Sequence, residues 1–260
     1  MTLHPDLLSL LCNPFTGEPL KQDGDSLTGT ASGARFPIRA GIPVILPPRQ
    51  PLRTRFYRRF YDLAAALYDP VVRAGGQIGV NHEERLRREV IAALEISPGA
   101  RVLETAIGSA LNAPHLPPNI QHFGLDLSWG MLGRARRNLA AWGRAAHLVQ
   151  ADGAFIPLHT AAFDLVLHLG GLQFYADPFR GVSEMARVLK PGGRAILLDE
   201  AAAARRLLRR MPAHRDYAPD LPTAAASMTR LVPFTITEFE SRLLPGGLFY
   251  MLSFTKPENL

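Results

Sequence analysis

Short apolar runs alternate with helix-like patterns through the middle of the chain. Apolar residues recur at spacings of three and four over 128–142 and 178–189, which predicts two helices with Ser128 and Asp177 as their N-caps. Strands divided by helices of this length favour a parallel sheet that is covered on both faces. The predicted parallel strands cover residues 101–104, 121–126, 146–150, 163–168 and 195–199.

The two ends of the chain follow other patterns. Residues 236–243 and 248–255 alternate in period two around a Pro-Gly-Gly turn, which predicts an antiparallel hairpin. Residues 1–48 hold brief β-like pieces, too little chain for a core of their own, and end at a proline-rich boundary. We therefore predict an α/β fold with a doubly wound, mostly parallel sheet of seven strands and a C-terminal antiparallel hairpin, preceded by a small β-rich N-terminal domain.

The main domain is expected to span residues 49–260 and to have three parts. Residues 49–96 form a helical cap, residues 97–200 a ligand-binding core, and residues 201–260 a final helix and the hairpin. The cap begins with a helix whose apolar residues recur at spacings of three and four along one face. That face consists of Phe56, Phe60, Leu63, Leu67 and Val71.

Composition narrows the function classes. The 260 residues are 47% hydrophobic and 20% charged, which is ordinary for a globular chain, and no apolar run reaches the roughly 18 residues of a membrane span. Cys12 is the single cysteine and the N-terminus lacks a secretory signal, so we expect a cytoplasmic protein without internal disulfides. The net charge of +6 is modest, which does not favour nucleic acid as a partner. Its one local concentration comprises Arg49, Arg53, Arg55, Arg58 and Arg59.

Candidate chemistry follows the ends of the predicted strands, where ligands bind in doubly wound sheets. After the first strand, residues 104–110 form a small-residue turn that we expect to open onto a helix and to present amide groups to an anionic ligand. Asp126 ends the second strand, 18 residues beyond Gly108, and can accept hydrogen bonds from ribose hydroxyls. A nicotinamide-dinucleotide site is disfavoured, because Leu111 stands where G-x-G-x-x-G requires its last small residue.

The order of these motifs resembles that of class I S-adenosylmethionine-dependent methyltransferases, over roughly residues 82–200. The motifs are Val102-Leu103-Glu104 with Gly108, Gly124-Leu125-Asp126-Leu127-Ser128 with Met131, Gln150-Ala151-Asp152-Gly153, Phe163-Asp164-Leu165-Val166 and Ala186-Arg187-Val188-Leu189-Lys190-Pro191-Gly192-Gly193. Phe60-Tyr61-Asp62-Leu63, Leu67-Tyr68-Asp69 and the closing strand up to Pro257 are similar to the quinone-biosynthesis-like branch, which methylates small molecules. Residues 1–48 resemble a small zinc-ribbon-like domain, through Phe36-Pro37-Ile38 and Gly41-Ile42-Pro43-Val44.

The resemblance implies S-adenosylmethionine as the cofactor and S-adenosylhomocysteine as the product. It assigns the methionine part to Glu104 and the turn of Thr105, Ala106, Gly108 and Ala110. It assigns the remainder of the cofactor to Asp126 at the ribose, Leu127 and Met131 at the adenine faces, and Asp152 with Gly153 at the adenine edge.

The chain departs from the family in two places. Alanines stand at positions 106 and 110 of a turn that is glycine-rich in the family, and a positive φ there would cost roughly 1–2 kcal/mol. The N-terminal segment keeps Cys12 but has Phe15, Gly29 and Ser32 where the other cysteines would fall, so we expect no zinc and no other metal site.

The acceptor pocket is expected between the helix over 56–68 and the loop after the fourth strand. Its predicted lining comprises Tyr57, Tyr61, Tyr68, Leu172, Gln173 and Phe174. His168 is the candidate base in that loop and would lie beside the cofactor. We expect methyl transfer to a small aromatic or polyketide-like acceptor. Two alternatives stay open: an rRNA or tRNA methyltransferase, and a methyltransferase-fold protein that has lost methylation and serves as a partner subunit or catalyses another reaction. A homodimer is also left open.

Overall fold

The computed structural model describes residues 2–75, 81–201, 229–236 and 238–258. Its helices, within these ranges, are α1 (Pro5–Leu8), α2 (Leu52–Gly75), α3 (Asn81–Ala92), α4 (Trp129–Ala141) and α5 (Pro178–Val188). Its strands are β1 (Leu20–Asp23), β2 (Ser26–Gly29), β3 (Arg35–Arg39), β4 (Ile42–Ile45), β5 (Arg101–Thr105), β6 (Gln121–Asp126), β7 (His147–Ala151), β8 (Phe163–Leu169), β9 (Leu189–Glu200), β10 (Phe239–Leu243) and β11 (Phe249–Thr255). The helix predicted soon after residue 201 falls mainly on residues 202–228, outside the described ranges.

The sheet confirms the predicted fold class. Strands β7, β6, β5, β8 and β9 lie side by side in that order and pair in parallel. The hairpin of β10 and β11 follows, with β11 antiparallel to β9 and β10 at the edge. Because the chain leaves β5 toward β6 and later returns to its other side as β8, the switch point that favours ligand binding lies at the end of β5.

The N-terminal strands extend this sheet. Strands β1 to β4 form an antiparallel ribbon, and β4 then pairs in parallel with β7, through Val44 opposite Gln150 and Ile45 opposite Ala151. Leu11 and Leu27 are buried in the same apolar core as the central strands. Residues 2–48 are therefore held by apolar contacts and sheet pairing to the rest of the protein.

The two predicted N-caps are confirmed. The Ser128 hydroxyl accepts a hydrogen bond from the Met131 amide at 3.1 Å, and the Asp177 carboxylate accepts one from the Arg180 amide at 2.9 Å. Both interactions satisfy amides that the first helical turn leaves without partners.

The helix expected after the turn that follows β5 is absent, which corrects the sequence prediction. The chain instead makes a single 3₁₀ turn at Ala113–His115. Pro114, Pro117 and Pro118 explain the difference, because proline lacks the amide that a continuing helix needs. An anion site at a helix N-terminus is therefore not formed here.

Helix α2 packs with the face opposite to its apolar stripe. Asp69 is buried, and its Oδ2 accepts hydrogen bonds from Arg134 Nε at 2.6 Å and Asn138 Nδ2 at 2.8 Å, both on α4. Asp62 accepts hydrogen bonds from the Ser128 hydroxyl at 2.7 Å and the Gly130 amide at 2.9 Å. These polar contacts turn the helix so that the predicted apolar face points outward.

Among the described helices, none is both long enough and apolar enough to cross a bilayer.

Candidate functional site

A cavity of about 420 Å³ opens at the carboxyl ends of the parallel strands, beneath α2. Its volume is within the usual range for small-molecule sites. Most of the predicted site residues line it: Ala106, Gly108, Asp126, Leu127, Met131, Asp152, Gly153, Tyr57, Tyr61, Tyr68, Gln173 and Phe174. The structure thus brings the two predicted halves of the site, one from the strand ends and one from α2, into a single cavity.

The turn after β5 adopts the strained conformation that its alanines were expected to need. Ala106 has a φ of 54°, Gly108 of 57° and Ala110 of 65°. The Ile107 amide within the turn donates to the Leu125 carbonyl at 3.0 Å, which holds the turn against the next strand. The chain therefore tolerates left-handed alanines at two places in this turn.

Asp126 joins this turn to the start of α4. Its Oδ2 accepts a hydrogen bond from the Gly108 amide and its Oδ1 one from the Ser128 amide, both at 2.8 Å. Burial raises the pKa of Asp126 to about 6, although the two amides favour the ionised form. Because an ionised carboxylate has about four acceptor sites, it can still accept hydrogen bonds from a diol in the cavity. This geometry fits the ribose of S-adenosylmethionine.

Asp152 and Gly153 lie across the cavity, beside a residue that sequence reasoning missed. Asp152 Oδ1 accepts a hydrogen bond from the Ala154 amide at 3.0 Å, and burial raises the pKa of its carboxyl. The Tyr175 ring packs so closely on Gly153 that any side chain at that position would overlap its hydroxyl. Burial also raises the pKa of Tyr175. No local pattern marks Tyr175, because the glycine that admits its ring is distant in sequence.

Five predicted residues do not line the cavity, and their placement corrects the sequence analysis. Glu104 is buried, and its carboxylate accepts hydrogen bonds from Asn112 Nδ2 at 2.6 Å and His122 Nε2 at 3.1 Å. The Glu104 carboxylate is therefore hydrogen-bonded within the protein interior and does not form part of the cavity wall. The other four, which are fully buried behind the lining, are Thr105, Ala110, His168 and Leu172.

His168 is the most consequential of these corrections. Its side chain is 0% exposed, and its Nδ1 lies 2.9 Å from the Thr105 hydroxyl. Burial lowers the pKa of His168, which favours the neutral ring. A general base must reach the proton that it removes, and His168 touches no part of the cavity in this arrangement.

The part of the cavity wall that α2 and the loop after β8 contribute is aromatic. The Phe174 ring lies 4.6 Å from the ring of Tyr57 and 5.4 Å from that of Tyr61, and Tyr61 lies 6.4 Å from Tyr68, all between centroids. Arg53 on α2 donates a hydrogen bond to the Gln173 carbonyl, which ties the helix to the loop below it. Aromatic side chains that line a cavity can bind a flat apolar ring by stacking.

Charged residues that sequence reasoning missed also line the cavity. Arg58, Arg87 and Glu200 contribute to its wall. Arg58 Nη1 donates to Gln50 Oε1 at 2.8 Å, so its position is held by the segment that precedes α2. Arg58 was noticed in the sequence only as part of a basic cluster, because the fold alone decides which member of that cluster turns inward.

A carboxylate occupies the centre of the ribbon-like segment. Glu18 accepts hydrogen bonds from Asn13 Nδ2 at 2.9 Å, from the Thr16 hydroxyl at 3.0 Å and from the amide of Ala31 at 2.6 Å. Ser32 donates to it through both its amide and its hydroxyl. A side chain at position 29 would overlap this carboxylate, and Cys12 is buried with its thiol pKa raised to about 11. Glu18 thus joins the loop of Asn13 and Thr16 to the loop of Ala31 and Ser32.

Comparison with known proteins matches residues 103–197 to a family described as a methyltransferase domain. The ubiquinone/menaquinone biosynthesis C-methyltransferase UbiE of Geobacter sulfurreducens is 36% identical over 135 residues, which cover 50% of this chain and 53% of that protein. The demethylmenaquinone methyltransferase of Symbiobacterium thermophilum is 31% identical over 175 residues, which cover 64% of this chain and 68% of that protein. The alignments thus span from about half to about two thirds of these relatives.

Among solved structures, the cyclase SpnF superposes with a TM-score of 0.62 at 19% identity, and the match covers 80% of this chain and 98% of that one. At this identity the likeness demonstrates a shared fold alone. The cavity, the left-handed turn and Asp126 therefore occupy a Rossmann-like framework that is common to these proteins.

Proposed function

Because the chain belongs to the class I S-adenosylmethionine-dependent methyltransferases, in the quinone-biosynthesis-like branch, we propose that it methylates a flat aromatic small molecule of the hydroquinone type. The observation that carries the proposal is the single cavity in which Asp126 and the left-handed turn face an aromatic wall of Tyr57, Tyr61 and Phe174. The names of the two relatives described above support a quinone-like acceptor.

The cavity residues divide into two groups with distinct tasks. When bound, S-adenosylmethionine supplies an electrophilic methyl group on a sulfonium sulfur. Asp126 would hold the ribose hydroxyls, Leu127 and Met131 would pack on the adenine, and Asp152 with Gly153 would contact the adenine edge. The aromatic residues would orient the acceptor, so that most of the rate enhancement comes from positioning.

A hydroquinone carries a proton whose removal makes its ring a better nucleophile, so a proton acceptor is useful in the site. His168 is buried behind the wall and does not reach it. The described carboxylates of the lining are Asp126, Asp152 and Glu200, and the first two are already assigned to the cofactor. We therefore assign proton removal to Glu200, at the end of β9.

Cofactor binding is tested by calorimetry with S-adenosylhomocysteine. Asp126→Ala should weaken binding by roughly 1.5–3 kcal/mol, because hydrogen bonds to a charged group are lost. Asp23→Ala is the matched control, since Asp23 is exposed and forms a surface ion pair with Arg35. Undetectable binding by the wild type, or equal affinity in Asp126→Ala, would contradict the assignment of the cofactor site.

The acceptor is tested by methyl transfer to a short-chain naphthohydroquinone. Tyr61→Ala and Tyr68→Ala should each lower turnover several-fold with little change in cofactor affinity, because an aromatic contact contributes roughly 0.5–1.5 kcal/mol beyond area burial. Glu200→Gln should lower kcat and leave S-adenosylhomocysteine binding unchanged. Normal turnover in all three variants would refute the assignment of the acceptor side.

The RNA-methyltransferase alternative is distinguished by charge neutralisation. Arg53 and Arg58 hold the cavity wall, so the informative variant replaces only the exposed Arg55 and Arg59. An RNA enzyme would lose activity with a steep salt dependence, because phosphate contacts release counterions. We expect activity on the short-chain acceptor to be preserved in this variant.

A further inference from the structure

The outer face of α2 carries an apolar stripe, which consists of Leu52, Phe56, Phe60, Leu63 and Leu67. Four of these side chains are strongly exposed, at 80% for Leu52, 53% for Phe56, 85% for Leu63 and 67% for Leu67. Phe60 is partly exposed, and its ring stacks with that of Phe56 at a centroid distance of 6.5 Å. At a rise of about 1.5 Å per residue, the stripe runs along roughly 22 Å of helix. Such a continuous apolar surface marks an interaction site.

The opposite face of the same helix is fully engaged. Tyr57 and Tyr61 line the cavity, Ala65 is buried, and Asp69 is bonded to α4. The stripe is therefore not a core face of the described structure. It is a second apolar surface, separated from the cavity by the width of one helix.

Positive charge borders the stripe. Arg55 and Arg59 are exposed, and the period of the helix places them along one edge of the stripe. Neither forms an ion pair within the part of the chain that the structure describes. Asp62 is the one acidic residue between positions 52 and 67, and its carboxylate accepts hydrogen bonds from the Ser128 hydroxyl and the Gly130 amide at the start of α4. Arg49 adds a further exposed positive charge just before the helix begins.

This arrangement is that of a helix that lies in the plane of a membrane surface, with apolar side chains inserted and arginines at the lipid headgroups. A second copy of the chain fits the face less well. In a two-fold contact through the stripe with antiparallel helices, the arginine edges of both copies would face each other without a described acidic partner. Charge complementarity therefore favours an anionic surface.

We propose that the stripe docks α2 on an anionic lipid bilayer, so that the cavity on the other side of the helix can receive an acceptor that resides in the membrane. The second part rests on the proposed function, since it requires a lipophilic hydroquinone. The first part stands on the exposed stripe and its arginines alone.

The experiment measures binding of the full chain to sedimented vesicles, made either of phosphatidylcholine with phosphatidylglycerol or of phosphatidylcholine alone. We expect binding to the anionic vesicles and a marked decrease in high salt. Leu63→Ser with Leu67→Ser should reduce the partition coefficient at least about tenfold. The reason is that burial of a single leucine side chain raises a partition coefficient by about tenfold or more. Phe179→Ser is the matched control, since Phe179 is also exposed but lies on α5.

The electrostatic part has its own pair of variants. Arg55→Gln with Arg59→Gln should lower binding to anionic vesicles about fivefold per arginine and leave the weak binding to neutral vesicles unchanged. Arg39→Gln with Arg137→Gln is the control, because both arginines are exposed and lie on other elements, β3 and α4. Equal losses in the two double variants would overturn the assignment of the face.

Other occupants would give different results, each of which overturns the proposal. A wild-type dimer that the leucine variant converts to a monomer, in light scattering, would identify the stripe as an interface between copies. A lower melting temperature of the leucine variant would identify it as a face covered by residues 202–228. If the folded wild type binds S-adenosylhomocysteine but does not bind vesicles, the membrane-docking proposal is wrong and the assignment of the cofactor site stands. If the protein binds vesicles but transfers methyl groups to no hydroquinone, the proposed acceptor and its delivery from the membrane are wrong, whereas the docking surface itself stands.

Discussion

Four alanines in the described part of the chain adopt the left-handed backbone conformation, which allows backbone strain to be tested within one protein. Ala40, Ala106, Ala110 and Ala161 have φ values of 47°, 54°, 65° and 55°. Ala106 and Ala110 belong to the turn after β5, whereas Ala40 and Ala161 lie in exposed turns elsewhere. The perturbation is replacement of each alanine, singly, by glycine, which adopts positive φ without a steric penalty.

The expected magnitude differs among the four because their methyl groups have different surroundings. Relief of the left-handed conformation should stabilise by roughly 1–2 kcal/mol, and the larger entropy of glycine in the unfolded chain should offset roughly 0.4–1 kcal/mol of that. Ala40→Gly, Ala161→Gly and the half-buried Ala106→Gly should therefore each stabilise by about 0.5–1 kcal/mol. Ala110 is fully buried, and loss of its methyl costs about 0.8 kcal/mol more, so Ala110→Gly should be nearly neutral.

The assay is equilibrium unfolding in urea, in which a stability change moves the midpoint at constant slope. Ala66→Gly is the control, since Ala66 is exposed in the interior of α2 and glycine there should cost about 1 kcal/mol. If Ala40→Gly and Ala161→Gly destabilise the protein as much as Ala66→Gly does, the strain reasoning is wrong. Stabilisation at these two positions but not at Ala106 would instead refute the strained geometry of the turn after β5.

Further predictions concern titration and metal. Hydrogen bonds lower the pKa of Glu18 to about 2. This carboxylate therefore stabilises the fold above its unfolded pKa of about 4.3, and that stabilisation is lost as the pH falls toward 2. Thermal melts should accordingly show a weaker acid dependence in Glu18→Gln. Since the pKa of Asp126 is raised to about 6, S-adenosylhomocysteine affinity should decrease as the pH falls through 6, and calorimetry should show a flat profile in Asp126→Asn. Purified protein should hold no stoichiometric zinc, and a chelator should leave its melting temperature unchanged. About one zinc per chain would contradict this, and His4 would be the first ligand to replace.

Local patterns were sufficient for the elements that carry the proposed cofactor site. Asp126 and Gly108 are placed at strand ends by periodicity alone, and parallel strand ends meet at one edge of a sheet. The same reasoning failed for Glu104. This residue also lies near the carboxyl end of a strand, β5, but its carboxylate is hydrogen-bonded to Asn112 and His122 in the interior. Alternation along a strand assigns side chains to faces, but it does not identify which buried partners a face will offer.

The sequence by itself determined the fold class, the positions of the central parallel strands and the C-terminal hairpin, and the two N-caps, because each follows from local periodicity or capping. Tertiary structure decided which face of α2 is buried, since the contacts of Asp62 and Asp69 with α4 outweigh the pattern of its apolar residues. Packing also removed His168 from the cavity and placed Tyr175 against it. Those outcomes depend on neighbours that are distant in sequence, and no window along the chain contains them.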